Sequence, residues 1–188
     1  MNRTQSVAVG AGAAGFAMGS ALLAFISLWE GSVSTTRIDP ISGVYDVCYG
    51  HTGKHAIQGK SYTDTECLAI LREDISVHQA GVLECIQSPV NQNQLDSFTS
   101  LAFNIGIAGA CNSTAMLLLN DGKYEAACHA LMSYRGAHMR DAAGNKIPGT
   151  WREVAGLKRR REAERIWCLT PSDGPRGASL FKMLRDSL

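Results

Sequence analysis

The chain has 188 residues and a formal charge of +1, with 18 lysines and arginines against 17 aspartates and glutamates. That balance excludes a nucleic-acid binder working through bulk positive charge, and 45% hydrophobic with 7% aromatic residues excludes a disordered chain. The length suits one domain of ordinary size with an appendage at either end.

Ser6 to Leu28 carries no charged residue over 23 positions. At about 1.5 Å per residue such a helix crosses a ~30 Å hydrocarbon core. Arg3 precedes it and Glu30 follows it, so the positive flank stays cytoplasmic and the rest crosses. Large apolar residues fill only nine positions, while alanine, glycine and serine fill fourteen, so insertion is favourable by a small margin. Four readings fit this composition: a cleaved signal peptide, a permanent anchor, a buried glycine-rich core helix, and an anchor that inserts and later leaves the membrane.

Gly31 to Asp39 reads as a polar turn rich in serine and threonine. Val44 to Tyr49 alternates as a strand between Gly43 and Gly50. Thr63 with Glu66 three positions on forms a capping box that starts a helix. Asn91 to Asn104 is helical and ends at Gly106, Thr114 to Asn120 is a short apolar helix, and Tyr124 to Tyr134 is another. Arg140 to Pro148 is a polar loop, and a last helix runs from Trp151 or Val154 to Trp167. Pro171 to Pro175 is a linker to a short amphipathic tail. The fold class is α+β, mainly α: a small strand-bearing lobe and a helical lobe around a cleft, preceded by the N-terminal hydrophobic helix.

Six cysteines, at positions 48, 67, 85, 111, 128 and 168, lack the C-x-x-C pairs of a zinc site. An even number in an exported chain points to disulfides formed in an oxidising compartment. Six cysteines allow fifteen connectivities and the sequence alone does not choose among them; Cys48–Cys67 within one lobe, Cys128–Cys168 on the last two helices and the remaining Cys85–Cys111 are the candidate pairs.

The acidic residues carry the chemistry. Two carboxyl groups facing one sugar are the minimum for cutting a glycosidic bond, one a proton donor, the other a base, nucleophile or charge stabiliser. Glu30-Gly31, Asp39 after eight intervening residues, then Gly43-Val44-Tyr45-Asp46-Val47-Cys48-Tyr49-Gly50-His51-Thr52-Gly53 supply that arrangement. Asn93-Gln94-Leu95-Asp96-Ser97-Phe98, Ala102-Phe103-Asn104-Ile105-Gly106, Asn120-x-Gly122-x-Tyr124-x-Ala126-Ala127 and Gly156-Leu157-x-x-Arg160-Arg161-x-x-Glu164 follow in order. This ordered set resembles the phage-type lysozymes, the muramidases among the glycoside hydrolases, over roughly residues 30–170. The N-terminal segment is similar to that of signal-anchor-release endolysins, which are exported tethered and become active on leaving the membrane.

The resemblance implies hydrolysis, with inversion, of the β-1,4 bond between N-acetylmuramic acid and N-acetylglucosamine, without cofactor or metal. Glu30 is the expected acid and Asp39 the expected base or charge stabiliser. The family's threonine is missing: strict spacing falls on Tyr45, and the Gly50-His51 register puts Asp46 in its place with one residue inserted, a rival or helper to Asp39. His51 is expected to hold its loop. The run Lys158 to Arg161 either steers the anionic cell wall or forms an ion-paired helix face with Glu162 and Glu164. The implied organisation is a signal-anchor-release segment over 1–28, a catalytic domain over 29–170 and a tail over 171–188. The implied partners are peptidoglycan strands and the inner membrane through residues 6–28, with no nucleic acid, for a monomer facing and then entering the periplasm. While the anchor is in the bilayer Glu30 is pinned at the surface; release lets the segment repack and brings Glu30 opposite Asp39. A membrane-anchored wall-binding module without turnover and a lytic transglycosylase are the alternatives.

Overall fold

The computed structural model describes residues 19–39, 43–139, 141 and 143–171. The expectations for residues 6–18 and for the tail beyond 171 lie outside the described residues. The first element, helix α1, spans Ser20–Glu30. Leu22, Phe25 and Ile26 recur at three-and-four spacing on it and are fully buried. They pack on Leu71 and Ile75 of α2 (Asp64–Cys85) and on Ala163 and Trp167 of α7 (Ala155–Leu169). The last nine of the 23 residues of the apolar stretch, 20–28, therefore belong to a core helix. Among the described residues no helix is long and apolar enough to cross a membrane. Gly31, at φ +66°, ends α1 directly after Glu30.

The segment expected as a polar turn is instead strand β1, Val33–Ile38. It pairs antiparallel with β2, Tyr45–Cys48, with Arg37 opposite Asp46 and Ile38 opposite Tyr45. Its β-branched residues fit a pleated ladder even though its pattern is polar. A small core of Val47, Cys48, Tyr62, Cys67 and Ile70 fastens this hairpin to the start of α2. The Thr63–Glu66 capping box is formed, with both reciprocal bonds present. From there α2 carries the chain out of the strand lobe into the helical lobe.

The helical lobe is built around α3, Gln92–Ile105, whose residues from Asn93 to Ala102 are all buried. An Asn91–Gln94 capping box opens it, and Gly106, at φ +83°, closes it. Helices α4 (Ile107–Cys111), α5 (Thr114–Asn120) and α6 (Tyr124–Ala130) surround it. Their core holds Leu95, Phe98, Leu101, Met116, Leu119 and Leu131. The helix expected over Tyr124 to Tyr134 breaks after Ala130 into a 3-10 turn, Leu131–Tyr134. The region read as a loop with a helix after it contains a short hairpin, β3 (Gly136–Ala137) against β4 (Arg152–Glu153). Three disulfides, Cys48–Cys67, Cys85–Cys111 and Cys128–Cys168, close the two lobes.

Candidate active site

Glu30 is the last residue of α1, and the glycine behind it turns the chain straight into β1. Its side chain is about one quarter exposed, and its Oε1 lies 2.5 Å from Nη1 of Arg160 on α7. Arg160 is itself buried, at 4% side-chain exposure, and is shared: its Nε donates to Glu164 Oε1 at 3.3 Å. The same oxygen accepts from Arg161 Nη2 at 2.6 Å and from the Ser100 hydroxyl of α3 at 2.6 Å. Two arginines and two carboxylates thus form one network through the α3–α7 contact, and Glu30 is its only partly exposed member. Burial lowers the Arg161 guanidinium from its ordinary value, and the Glu164 carboxylate opposes that shift. Arg161 Nε and Nη1 and Glu164 Oε2 are buried without a partner among the described residues.

The ion pairing with Glu164 expected of the run Lys158 to Arg161 is present, but it is buried and not an exposed face, and Glu162 pairs with Arg165 instead. Arg160 and Arg161 face inward, and only Lys158, paired with Glu153 at 2.9 Å, lies on an ion-paired surface. Sequence reasoning missed Arg160 as the residue holding Glu30. The available signal was the spacing of Arg160 and Arg161 four and three positions before Glu164, which puts all three on one side of a helix.

Asp39 stands at the end of β1, half-buried. Its N–H donates to the Val44 carbonyl and its carbonyl accepts from Gly43, both at 2.8 Å, so its backbone closes the hairpin turn. Residues 40–42 of that turn are outside the described residues. Asp46 is directed across the ladder at Arg37, with Oδ1 3.2 Å from Nε and Oδ2 3.5 Å from Nη2. The Asp46 side chain is largely buried while Arg37 is half exposed, so the pair braces the hairpin rim.

His51 holds its loop to the helix that joins the lobes: Nδ1 lies 2.8 Å from Oδ2 of Asp74 on α2. Its backbone exchanges two bonds with Val47, at 2.9 and 3.0 Å. A side chain on Gly53 would begin 2.8 Å from the His51 ring, so the Gly-His-Thr-Gly sequence is a packing requirement of this bend.

One further carboxyl is unusual. Asp96 on α3 is 3% exposed and accepts from Gln92 Nε2 at 2.7 Å. A Cβ on Gly19, the N-cap of α1, would sit 3.9 Å from its Oδ2. Burial pushes its pKa up to about 7, against the opposing Gln92 bond. Asp96 therefore lies under one end of α1 while Glu30 sits at the other.

A model of the phage lysozyme family matches residues 27–164. The SAR-endolysin of Enterobacteria phage P21 is 32% identical over 171 residues, which cover 90% of this chain and 95% of that protein. The muramidase domain of SpmX from Asticaccaulis excentricus superposes with a TM-score of 0.72 at 29% identity, over 81% of this chain and 97% of that one. A P22 lysozyme variant superposes with a TM-score of 0.65 at 27% identity, over 81% of this chain and 98% of the other.

Proposed function

The chain belongs to the phage lysozyme family, and on that premise we propose that it hydrolyses the β-1,4 bond between N-acetylmuramic acid and N-acetylglucosamine in peptidoglycan. Glu30 protonates the leaving oxygen. Asp39, in the turn of the β1–β2 hairpin, activates water or stabilises the oxocarbenium-like transition state. Asp46 is the second carboxylate of that hairpin and ranks behind Asp39, because Arg37 already engages it. The observation that carries the reading is the placement of Glu30: partly exposed, at a helix end, and held by a buried arginine from another helix.

The proposal extends to location. Residues 1–28 act as a signal-anchor-release segment that tethers the enzyme to the host inner membrane facing the periplasm, with residues 29–170 catalytic and 171–188 a tail. The enzyme acts as a monomer in the periplasm after release. The support is that α1 begins inside the apolar stretch and ends on Glu30, so the segment that would be in the bilayer also carries the acid. Seating Leu22, Phe25 and Ile26 in the core and placing Glu30 beside Arg160 are one event.

The test is peptidoglycan turnover by wild type and by Glu30→Gln, Asp39→Asn and Asp46→Asn. The expected losses are about a thousandfold, about a hundredfold and under about tenfold, in that order, within the 10²–10⁴ range for a positioned proton donor or acceptor. Wild-type levels in Glu30→Gln overturn the assignment. Binding without turnover by released wild type moves the protein to the wall-binding class, and anhydro-sugar products move it to the lytic transglycosylases. Equal activity of tethered and released protein refutes control by position.

A further inference from the structure

Arg160 divides its guanidinium among three residues. Nε donates to Glu164 Oε1 at 3.3 Å, and Nη2 donates to the Ser100 carbonyl at 3.3 Å, with Ser100 Oγ at 3.4 Å. A carboxylate that meets the fork of a guanidinium takes two parallel bonds from it. Glu30 takes one: Nη1 reaches its Oε1 at 2.5 Å, and its Oε2 receives nothing from Arg160. The Nε–Nη2 edge, which would form the second bond, is held on the far side by α7 and α3.

The holder of Nε is Glu164, one turn after Arg160 on α7 and fully buried. Its Oε1 also accepts from Arg161 Nη2 and from the Ser100 hydroxyl, both at 2.6 Å. The charged groups that meet here are Glu30 from α1 and Arg160, Arg161 and Glu164 from α7; α3 brings the neutral Ser100. Asp96, one turn before Ser100 on α3, bonds Gln92 instead, and on the strand side Asp46 pairs with Arg37 and His51 with Asp74.

With all four groups ionised the charges of the network cancel. An acid must hold its proton before giving it to the leaving oxygen, and a proton on Glu30 brings the network to +1. Without Glu164 the same proton would face two buried arginines and no opposing charge, which favours losing it. The four groups feel one another: the Arg161 guanidinium is lowered by burial, supported by Glu164, lowered further by Arg160 and supported by Glu30.

We propose that Glu164 is a positioning residue of the reaction: it holds the Nε edge of Arg160 away from Glu30 and supplies the opposing charge that lets Glu30 keep its proton until transfer. The inference rests on the reading of Glu30 as the acid of a peptidoglycan glycosidase.

The experiment is the pH profile of kcat/KM on peptidoglycan between about pH 4 and 9. The alkaline limb of that profile reports the acid losing its proton. Glu164→Gln should move the limb down by about one pH unit, and Arg161→Met should move it up by a similar amount. The double variant restores the charge balance and should return the limb close to the wild-type position. Removing one partner of a buried pair is strongly destabilising, so Glu164→Asp is run beside Glu164→Gln. It keeps the charge, draws it back from Arg160 by one methylene, and should move the limb down by a smaller amount. The limb position does not depend on how much enzyme is active, and circular dichroism over the same pH range checks the fold. A limb within about 0.2 pH units of wild type in the folded Glu164 variants overturns the proposal, whatever the rate, and leaves Glu164 a support of the fold alone. Shifts of the same sign in Glu164→Gln and Arg161→Met overturn it as well. A wild type that releases no reducing ends overturns the glycosidase reading itself, an outcome read before any variant is made.

Discussion

Replacing Asp96 with asparagine should make the protein more stable at neutral pH and remove a pH dependence that wild type shows. The unfolded carboxyl titrates near 3.8 and the folded one near 7. Below about pH 4 both states hold the proton, and the residue contributes no difference. Between about 4 and 7 the unfolded state loses its proton while the folded state keeps it, so stability falls as pH rises; above about 7 the full penalty applies. A rise of about three pKa units corresponds to about 4 kcal/mol as an upper bound, at 1.36 kcal/mol per unit. The pairing with Gln92 survives in Asp96→Asn, because the amide oxygen still accepts from the Gln92 amide. The assay is urea unfolding of both proteins at pH 4.5, 6 and 8 with the disulfides intact. About 1 kcal/mol of that penalty is already present at pH 4.5, so the asparagine variant should gain up to about 3 kcal/mol on wild type between the lowest and the highest pH. A difference that stays constant across the three pH values would refute the reasoning, because it would mean that Asp96 titrates alike in both states.

Three other perturbations address the remaining parts. Ile26→Ala removes a fully buried side chain from the contact of α1 with α2 and α7, and should lower urea-unfolding stability by about 2–5 kcal/mol; a loss under about 1 kcal/mol would mean that α1 is not seated in solution. The double substitution Cys128→Ala with Cys168→Ala opens a loop of sequence separation 40, and should cost about 3–4 kcal/mol in the same assay. Arg160→Met releases Glu30 while Arg161 and Ser100 still hold Glu164. Peptidoglycan turnover should fall at least tenfold with the helical circular dichroism retained, and undiminished turnover would show that the clamp does not position the acid.

The elements that the sequence announces are those whose ends are marked by local chemistry. Thr63 with Glu66 marks the start of α2, and Gly106 marks the end of α3, because caps are satisfied within a few residues of chain. Strand β1 is not announced. Val33 and Ile38 are its only strongly apolar residues, and its partner lies beyond a turn, so tertiary pairing decides it. The β3–β4 ladder, two residues on each side, is too short to impose any alternation. Glu30, the proposed acid, and the hairpin residues Asp39 and Asp46 stand out in the sequence as motif residues. Arg160, which holds Glu30, does not: its spacing from Glu164 puts the two on one side of a helix, but a run of four basic residues does not say that this side turns inward. Burial of Arg160 and Arg161 depends on Glu164 and Ser100 meeting them across the α3–α7 contact, and that geometry exists only in the folded chain.

The apolar segment was ambiguous for a deeper reason. Three-and-four spacing of large residues in α1 serves a protein core, and the surrounding alanine and glycine serve a helix of either kind. In the proposed cycle Leu22, Phe25 and Ile26 leave hydrocarbon and enter a core that is equally apolar, so the hydrophobic term for these three changes little. The exchange is decided by what surrounds them. Alanine and glycine lose little on leaving lipid, and Leu28, half exposed in the fold, loses some. Against that loss stand close packing on Trp167 and Ile75 and the pairing of Glu30 with Arg160, neither of which the bilayer offers. A segment richer in leucine would be held by the membrane, and one without Leu22, Phe25 and Ile26 would have no place in the core. The composition lies between those limits, as the proposed passage of the helix from a tether to the support of Glu30 requires.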